Sequence, residues 1–229
     1  TYRFVDNSIC LQSAETPSDF YESARAFGHF QYTLRDFPVQ TLQETIVDFH
    51  NTPVRYEQLR AAISDDPLGR AASVLPEINF ILEREQRAGM LQHMRDTGEL
   101  PVRVTHNDTK INNVLLDADT RRALCVIDLD TVMPGLSAYD FGDAIRFGAS
   151  TAAEDEQELE RVRLDLNLYR VFTRGFAEAC PSLTERERDV LPLGAFVMTL
   201  ECGMRFLTDY INGDKYFSID RESHNLDRA

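Results

Sequence analysis

Residues 101–146 read PVRVTHNDTKINNVLLDADTRRALCVIDLDTVMPGLSAYDFGDAIR, and this stretch decides the fold. An apolar run, Val102–Val104 broken by Arg103, ends at Thr105 and His106. Asp108, Lys110 and Asn113 follow. Residues 113–116 predict a short strand, residues 117–120 a polar turn, and residues 123–129 a second strand that delivers Asp128 and Asp130 at its end. Two β-runs around a polar turn fold back on each other, which carries Asp128 toward Asn113 and Asp108. A carboxylate, a carboxamide and a second carboxylate on neighbouring loop ends suit Mg²⁺, because a hard cation takes oxygen ligands. Lys110 adds positive charge at the same place. A cation and a lysine can hold phosphate oxygens while the remaining carboxylate orients an attacking hydroxyl.

The spacing His106-x-Asp108-x-Lys110-x-x-Asn113 resembles the catalytic loop of protein kinases. Asn107 stands where that pattern has Arg, and Asp128 is not followed by Phe-Gly. With Ile127-Asp128 about twenty residues beyond Asp108, the pattern resembles the small-molecule branch of that fold, the aminoglycoside phosphotransferases and choline kinases. Within it, THNDTKINNVLLD (105–117), VIDLDTVMPG (126–135) and DFGDAIRFG (140–148) resemble the N-acetylhexosamine 1-kinases.

The resemblance implies an α+β, mostly helical fold, the C-terminal lobe of a protein-kinase-like phosphotransferase. It implies Mg²⁺ as cofactor, ATP as co-substrate, and transfer to the anomeric hydroxyl of N-acetylglucosamine or N-acetylgalactosamine. Asp108 would position and help deprotonate the acceptor hydroxyl. Asn113 and Asp128 would bind Mg²⁺, and Lys110 would neutralise charge on the transferred phosphoryl. His106 would brace the metal-binding loop through backbone hydrogen bonds, and Asp143 would brace the catalytic loop. Asp140 reads as a helix cap, and Asp130 as a second cation ligand, a brace or a substrate contact. The central residues are shared by kinases for choline, aminoglycosides and other hexoses, so those acceptors stay open. So does a non-catalytic sugar-binding remnant.

Working outward toward the N-terminus, residues 1–11 carry Tyr2, Phe4, Ile9 and Leu11 as apolar positions and read as a strand or linker. In the resemblance, residues 1–15 are the hinge and 16–229 the catalytic and acceptor-binding lobe. No glycine-rich phosphate loop precedes the catalytic loop. The nucleotide-clamping lobe is therefore expected to be absent from this chain, and to be present in the intact enzyme. Little kinase activity is expected of the chain alone. Thr16-Pro17-Ser18-Asp19 starts a helix, with Phe20, Ala24, Phe27, Gln31 and Leu34 on one stripe. Residues 41–50 predict a short helix broken at His50-Asn51-Thr52-Pro53, and residues 76–94 a longer one.

On the C-terminal side, Met133-Pro134-Gly135 reads as a tight turn, and a short helix is expected at 144–147 after Asp140-Phe141-Gly142-Asp143. Residues 162–176 favour a helix. Residues 191–210 are strongly apolar, interrupted by Glu201, Arg205 and Asp209. Arg205 and Asp209 stand four apart on one helical face, which suits an intrahelical ion pair. The alternative follows from the stretch 205–217, which resembles the sugar-binding end of the hexosamine kinases. There Arg205 and Asp209 line the acceptor pocket and Tyr216 packs on the sugar ring. The tail 221–229 reads as a final turn or fray.

Composition bounds the rest. The 229 residues are 43% hydrophobic, enough for one sizeable core. Lys and Arg number 24 against 38 Asp and Glu, a formal charge of −14 that argues against a nucleic-acid partner. Cys10, Cys125, Cys180 and Cys202 have neither zinc-motif nor disulfide-scaffold spacing, and point to a reducing cytoplasmic home. No signal peptide or long uninterrupted apolar run appears, so no membrane partner is expected.

Overall fold

A computed structural model describes residues 3–229. Tyr2 lies outside the described residues. Strand β1 (Ser8–Cys10) leads to α1 (Pro17–Thr33). Helices α2 (Thr52–Asp65), α3 (Leu75–Leu82), α4 (Glu85–Ala88) and α5 (Met90–Asp96) follow. The central stretch holds β2 (Arg103–Thr105), β3 (Val114–Asp117), β4 (Ala123–Val126) and β5 (Met133–Gly135). Helices α6 (Ser137–Gly148), α7 (Leu166–Ala179), α8 (Glu185–Asn212) and α9 (His224–Asp227) complete the chain. The fold is α+β and mostly helical, as the sequence implied.

The strands form two small antiparallel sheets, β1-β3-β4 and β2-β5. The hairpin β3–β4 takes the expected place. Met133-Pro134-Gly135 is a strand rather than a tight turn, with Val104 opposite Pro134. It is an edge strand, where a proline costs no ladder bond.

Helix α1 begins as its sequence directs. The Thr16 hydroxyl accepts the Asp19 N–H, and the Asp19 carboxylate accepts the Thr16 N–H. Such a reciprocal cap is worth about 1 kcal/mol. Phe20, Ala24 and Phe27 are fully buried against Phe141, Phe172 and Phe176. Thr184 and Glu187 repeat the same device at the start of α8. That helix is long and apolar enough to cross a membrane by length and composition. Here its apolar side is buried, Leu207 and Met204 against Tyr56 and Leu59 of α2, and Val197 and Met198 against Leu136 and Tyr139.

Three helix expectations fail. Residues 42–50 form no helix, because Val47 stays 72% exposed and Ile46 38%, so no apolar stripe is buried there. The residues expected to break it start α2, whose Val54 N–H is capped by the Asn51 side chain with Pro53 in the opening turn. The helix expected over 76–94 is three short ones, interrupted at Glu83-Arg84 and at Gly89. Asp140-Phe141-Gly142-Asp143 lies inside α6 rather than before it. Of the two readings of the tail the final turn holds, as α9, with Asn225 fully buried and donating to Asp209 and Asp214.

Candidate active site

The loop between β2 and β3 carries the site. Its backbone turns sharply at Asn107, with φ of 64°, a conformation Asn tolerates better than most residues. Asp140 holds that turn. Its carboxylate accepts the N–H of His106 at 3.0 Å, the N–H of Asn107 at 2.7 Å and the Gln31 amide at 2.6 Å. The Asp140 carbonyl takes the Thr109 hydroxyl, and the Asp143 carboxylate takes the Thr109 N–H at 2.9 Å. Asp140 is therefore a loop brace in place of the helix cap expected from sequence. A buried chain extends from it: the Ser137 hydroxyl donates to Gln31 at 2.7 Å with Glu187 3.2 Å away, and Glu187 pairs with Arg103 of β2.

Asp108, at the tip, is flanked by the two side chains the sequence associates with it. Lys110 Nζ lies 3.0 Å from its Oδ1, and Asn113 Nδ2 donates to its Oδ2 at 2.9 Å and to its carbonyl at 2.8 Å. Burial would lower the Lys110 pKa, but the adjacent Asp108 charge and hydrogen bond outweigh it and raise it. Burial likewise pushes Asp143 up, and is outweighed by Arg146, His50 and Lys110, which hold it below the usual carboxylate range. Asp140 is pushed up by burial against the opposing N–H donors of His106 and Asn107. Lys110 Nζ also sits 5.8 Å from the Phe147 ring centre, a neighbour the sequence did not single out.

The hairpin brings the second acidic segment alongside. The Ile127 N–H donates to the Asn113 carbonyl at 2.9 Å, and the Ile127 carbonyl accepts from His106 Nε2 at 2.9 Å. Asp128 follows directly, in a left-handed conformation with φ of 60°. Among the described residues no hydrogen bond or ion pair engages its exposed carboxylate, and none engages Asn113 Oδ1. A carboxylate and an amide oxygen left open on adjoining segments fit a hard cation. No group of three or more His, Cys, Asp or Glu that could hold a metal occurs among the described residues. The protein's share of such a site is thus two oxygen-bearing side chains, which suits Mg²⁺ that keeps water and phosphate ligands. Asp130 is exposed, and only its backbone carbonyl is engaged, by Thr45.

The C-terminal candidates divide. Asp209 makes no ion pair with Arg205. Its carboxylate accepts the backbone N–H groups of Lys215, Tyr216 and Phe217 and the Asn225 amide. It orders the 213–217 turn and leaves no open oxygen for a pocket. Arg205 instead lies among aromatic rings, 5.3 Å from Phe49, 5.9 Å from Tyr216 and 5.4 Å from Phe217. Tyr216 is 70% exposed. Arg55 joins the same neighbourhood: burial, then the Arg205 charge, lower its pKa.

Two comparisons bear on this arrangement. The model of the phosphotransferase enzyme family (APH) matches residues 2–177. Among solved structures, a choline kinase from Cryptosporidium parvum Iowa II is similar in fold, with a TM-score of 0.53 at 12% identity, over 98% of this chain and 68% of that one.

Proposed function

The chain belongs to the phosphotransferase enzyme family, and on that footing we propose that it transfers the γ-phosphoryl group of ATP to the anomeric hydroxyl of an N-acetylhexosamine, giving the sugar 1-phosphate. One observation carries the reading: Asp108 is held between Lys110 and Asn113 at the tip of a buried, braced loop, and the adjoining segment, tied on through Ile127, carries the open carboxylate of Asp128. Asn113 and Asp128 would hold Mg²⁺, which when bound neutralises phosphate charge. Asp108 aligns the acceptor hydroxyl and takes its proton. Lys110 faces the phosphoryl oxygens. His106, Asp140 and Asp143 keep the loop in shape. Positioning counts for most here, because the transition state of phosphoryl transfer is loose.

The acceptor assignment rests on the hexosamine-kinase resemblance and on the guanidinium-aromatic cluster of Arg205, Phe49, Tyr216 and Phe217. An aromatic wall with hydrogen-bond donors suits a neutral polyhydroxyl ring. Two neighbouring guanidiniums repel a choline or aminoglycoside cation. Residues 1–15 then serve as hinge and 16–229 as the catalytic and acceptor-binding lobe, with β1 tied to β3. The cysteine pattern supports a cytoplasmic setting for the reaction.

The test is ATP consumption by the full-length protein against N-acetylhexosamines, plain hexoses, choline and an aminoglycoside, with Asp108→Asn as control. Turnover confined to N-acetylhexosamines supports the assignment. Turnover with choline or an aminoglycoside alone overturns the sugar assignment. Turnover undiminished in Asp108→Asn overturns the role of Asp108.

A further inference from the structure

His50 lies in the irregular segment before α2, far from the catalytic loop in sequence, yet it reaches that loop. Its Nε2 is 3.3 Å from the Asn107 carbonyl oxygen, and its Nδ1 is 2.9 Å from Glu201 Oε1 on α8. The second Glu201 oxygen accepts the Thr52 hydroxyl at 2.6 Å. His50 is 8% exposed and Glu201 1%. Both ring nitrogens thus face oxygens that can only accept, from a carboxylate on one side and a carbonyl on the other. Both bonds form together only when the ring carries two protons.

His106 shows the opposite arrangement. Its Nδ1 accepts the Asp108 N–H at 3.3 Å, so its single proton sits on Nε2, facing the Ile127 carbonyl. The Asn107–Asp108 peptide is therefore clamped at both ends: its C=O takes a proton from His50, and its N–H gives one to His106. Resting on the phosphotransferase reading, we propose that His50 is a positioning residue for Asp108, its doubly protonated ring tying the peptide that carries Asp108 to Glu201 on α8. The Glu201 carboxylate supports this. Burial would raise its pKa, and the His50 hydrogen bond and charge, followed by Thr52, outweigh that and hold it below the usual carboxylate range.

The groups around the ring come from several elements. Glu201 of α8 and Thr52 of α2 bind it or its partner, and the rings of Tyr139 on α6 and Phe49 pack on it at 5.4 and 4.4 Å. Asp143 of α6 feels the His50 charge, and Arg205 of α8 and Arg55 of α2 feel that of Glu201. Loss of the proton on the alkaline side breaks one of the two bonds and frees the peptide before Asp108.

Nitrogen-15 NMR of the His50 ring, with the Asp108 backbone amide followed in the same pH titration, tests this without requiring turnover. Expected are a doubly protonated ring at pH 7 and an Asp108 amide shift that tracks its deprotonation and vanishes in His50→Gln. In phosphotransfer, His50→Gln is expected to lower kcat about tenfold with both KM values changed less than about twofold. Glu201→Gln, which keeps a hydrogen bond but not the charge, should move both the ring titration and the alkaline limb of kcat to lower pH. It also carries the test if His50→Gln does not fold. A singly protonated ring at pH 7, an Asp108 amide blind to that titration, or an alkaline limb unmoved in Glu201→Gln overturns the proposal. Absence of phosphotransfer in the full-length protein would refute the functional reading, and the shared titration of His50 and the Asp108 amide would still decide this one.

Discussion

Gly142 of α6 and Gly194 of α8 meet where the two helices cross. A Cβ on Gly142 would strike the Gly194 carbonyl, and a Cβ on Gly194 would strike the carbonyl of Ala138. Backbone thus packs on backbone at the helix that carries Asp140 and Asp143. Neither Gly142→Ala nor Gly194→Ala can be absorbed by turning a side chain. Each is expected to destabilise the fold by about 1–3 kcal/mol, read as a lower urea midpoint.

Asp140→Ala should do more. It strands the N–H groups of His106 and Asn107 and the Gln31 amide in a site where Asp140 itself is fully buried. An unsatisfied buried donor costs about 1–3 kcal/mol, so urea denaturation should show a larger loss than either glycine variant. Asp140→Asn keeps one acceptor and should fall between.

Asp108→Asn preserves shape and removes the charge. The expected result is a fall in kcat of about 10²- to 10⁴-fold with ATP affinity held, checked by steady-state rates and nucleotide titration. Asp128→Asn should instead raise the Mg²⁺ concentration needed for half-maximal rate, because one anionic ligand is lost.

Stability should fall in acid. Asp143 and Glu201 are both held below their ordinary values of 3.8 and 4.5. The unfolded chain therefore takes up protons first as pH falls from about 5. Their contribution is complete above those ordinary values and disappears as pH drops through the lower native ones. Asp143→Asn should flatten this part of the stability–pH curve, measured by denaturation at stepped pH.

Arg205→Gln is expected to raise the acceptor KM about tenfold, since a hydrogen bond to a charged group contributes about 1.5–3 kcal/mol, and to leave the ATP KM unchanged. Inhibition of the reaction by choline should become stronger as the guanidinium repulsion disappears. Both follow from acceptor-variation kinetics.

The sequence made these sites legible unevenly, for physical reasons. Capping chemistry is local, so Thr16-Asp19 announced α1. The Asp108–Asn113 spacing is local too, and the loop geometry follows it. Asp140 was misread because its three partners are Gln31, His106 and Asn107, which only the tertiary fold brings to it. Met133-Pro134-Gly135 carries turn residues, and its pairing with β2 depends on a strand some thirty positions earlier. His50 gave no signal, since its partners at Asn107 and Glu201 are distant in the chain. Asp209 was matched to Arg205 by helical spacing, but backbone donors of the following turn outcompeted the guanidinium.

The bracing by Asp140 also sets how the loop breathes. The His106 and Asn107 amides end on a carboxylate that is itself anchored in the packing of α1 against α6. They should exchange with solvent deuterium only when that packing opens, as slowly as the best-protected helical amides. The catalytic loop would then share the lifetime of the core, and the aim of Asp108 would be lost all at once with the fold rather than drifting ahead of it.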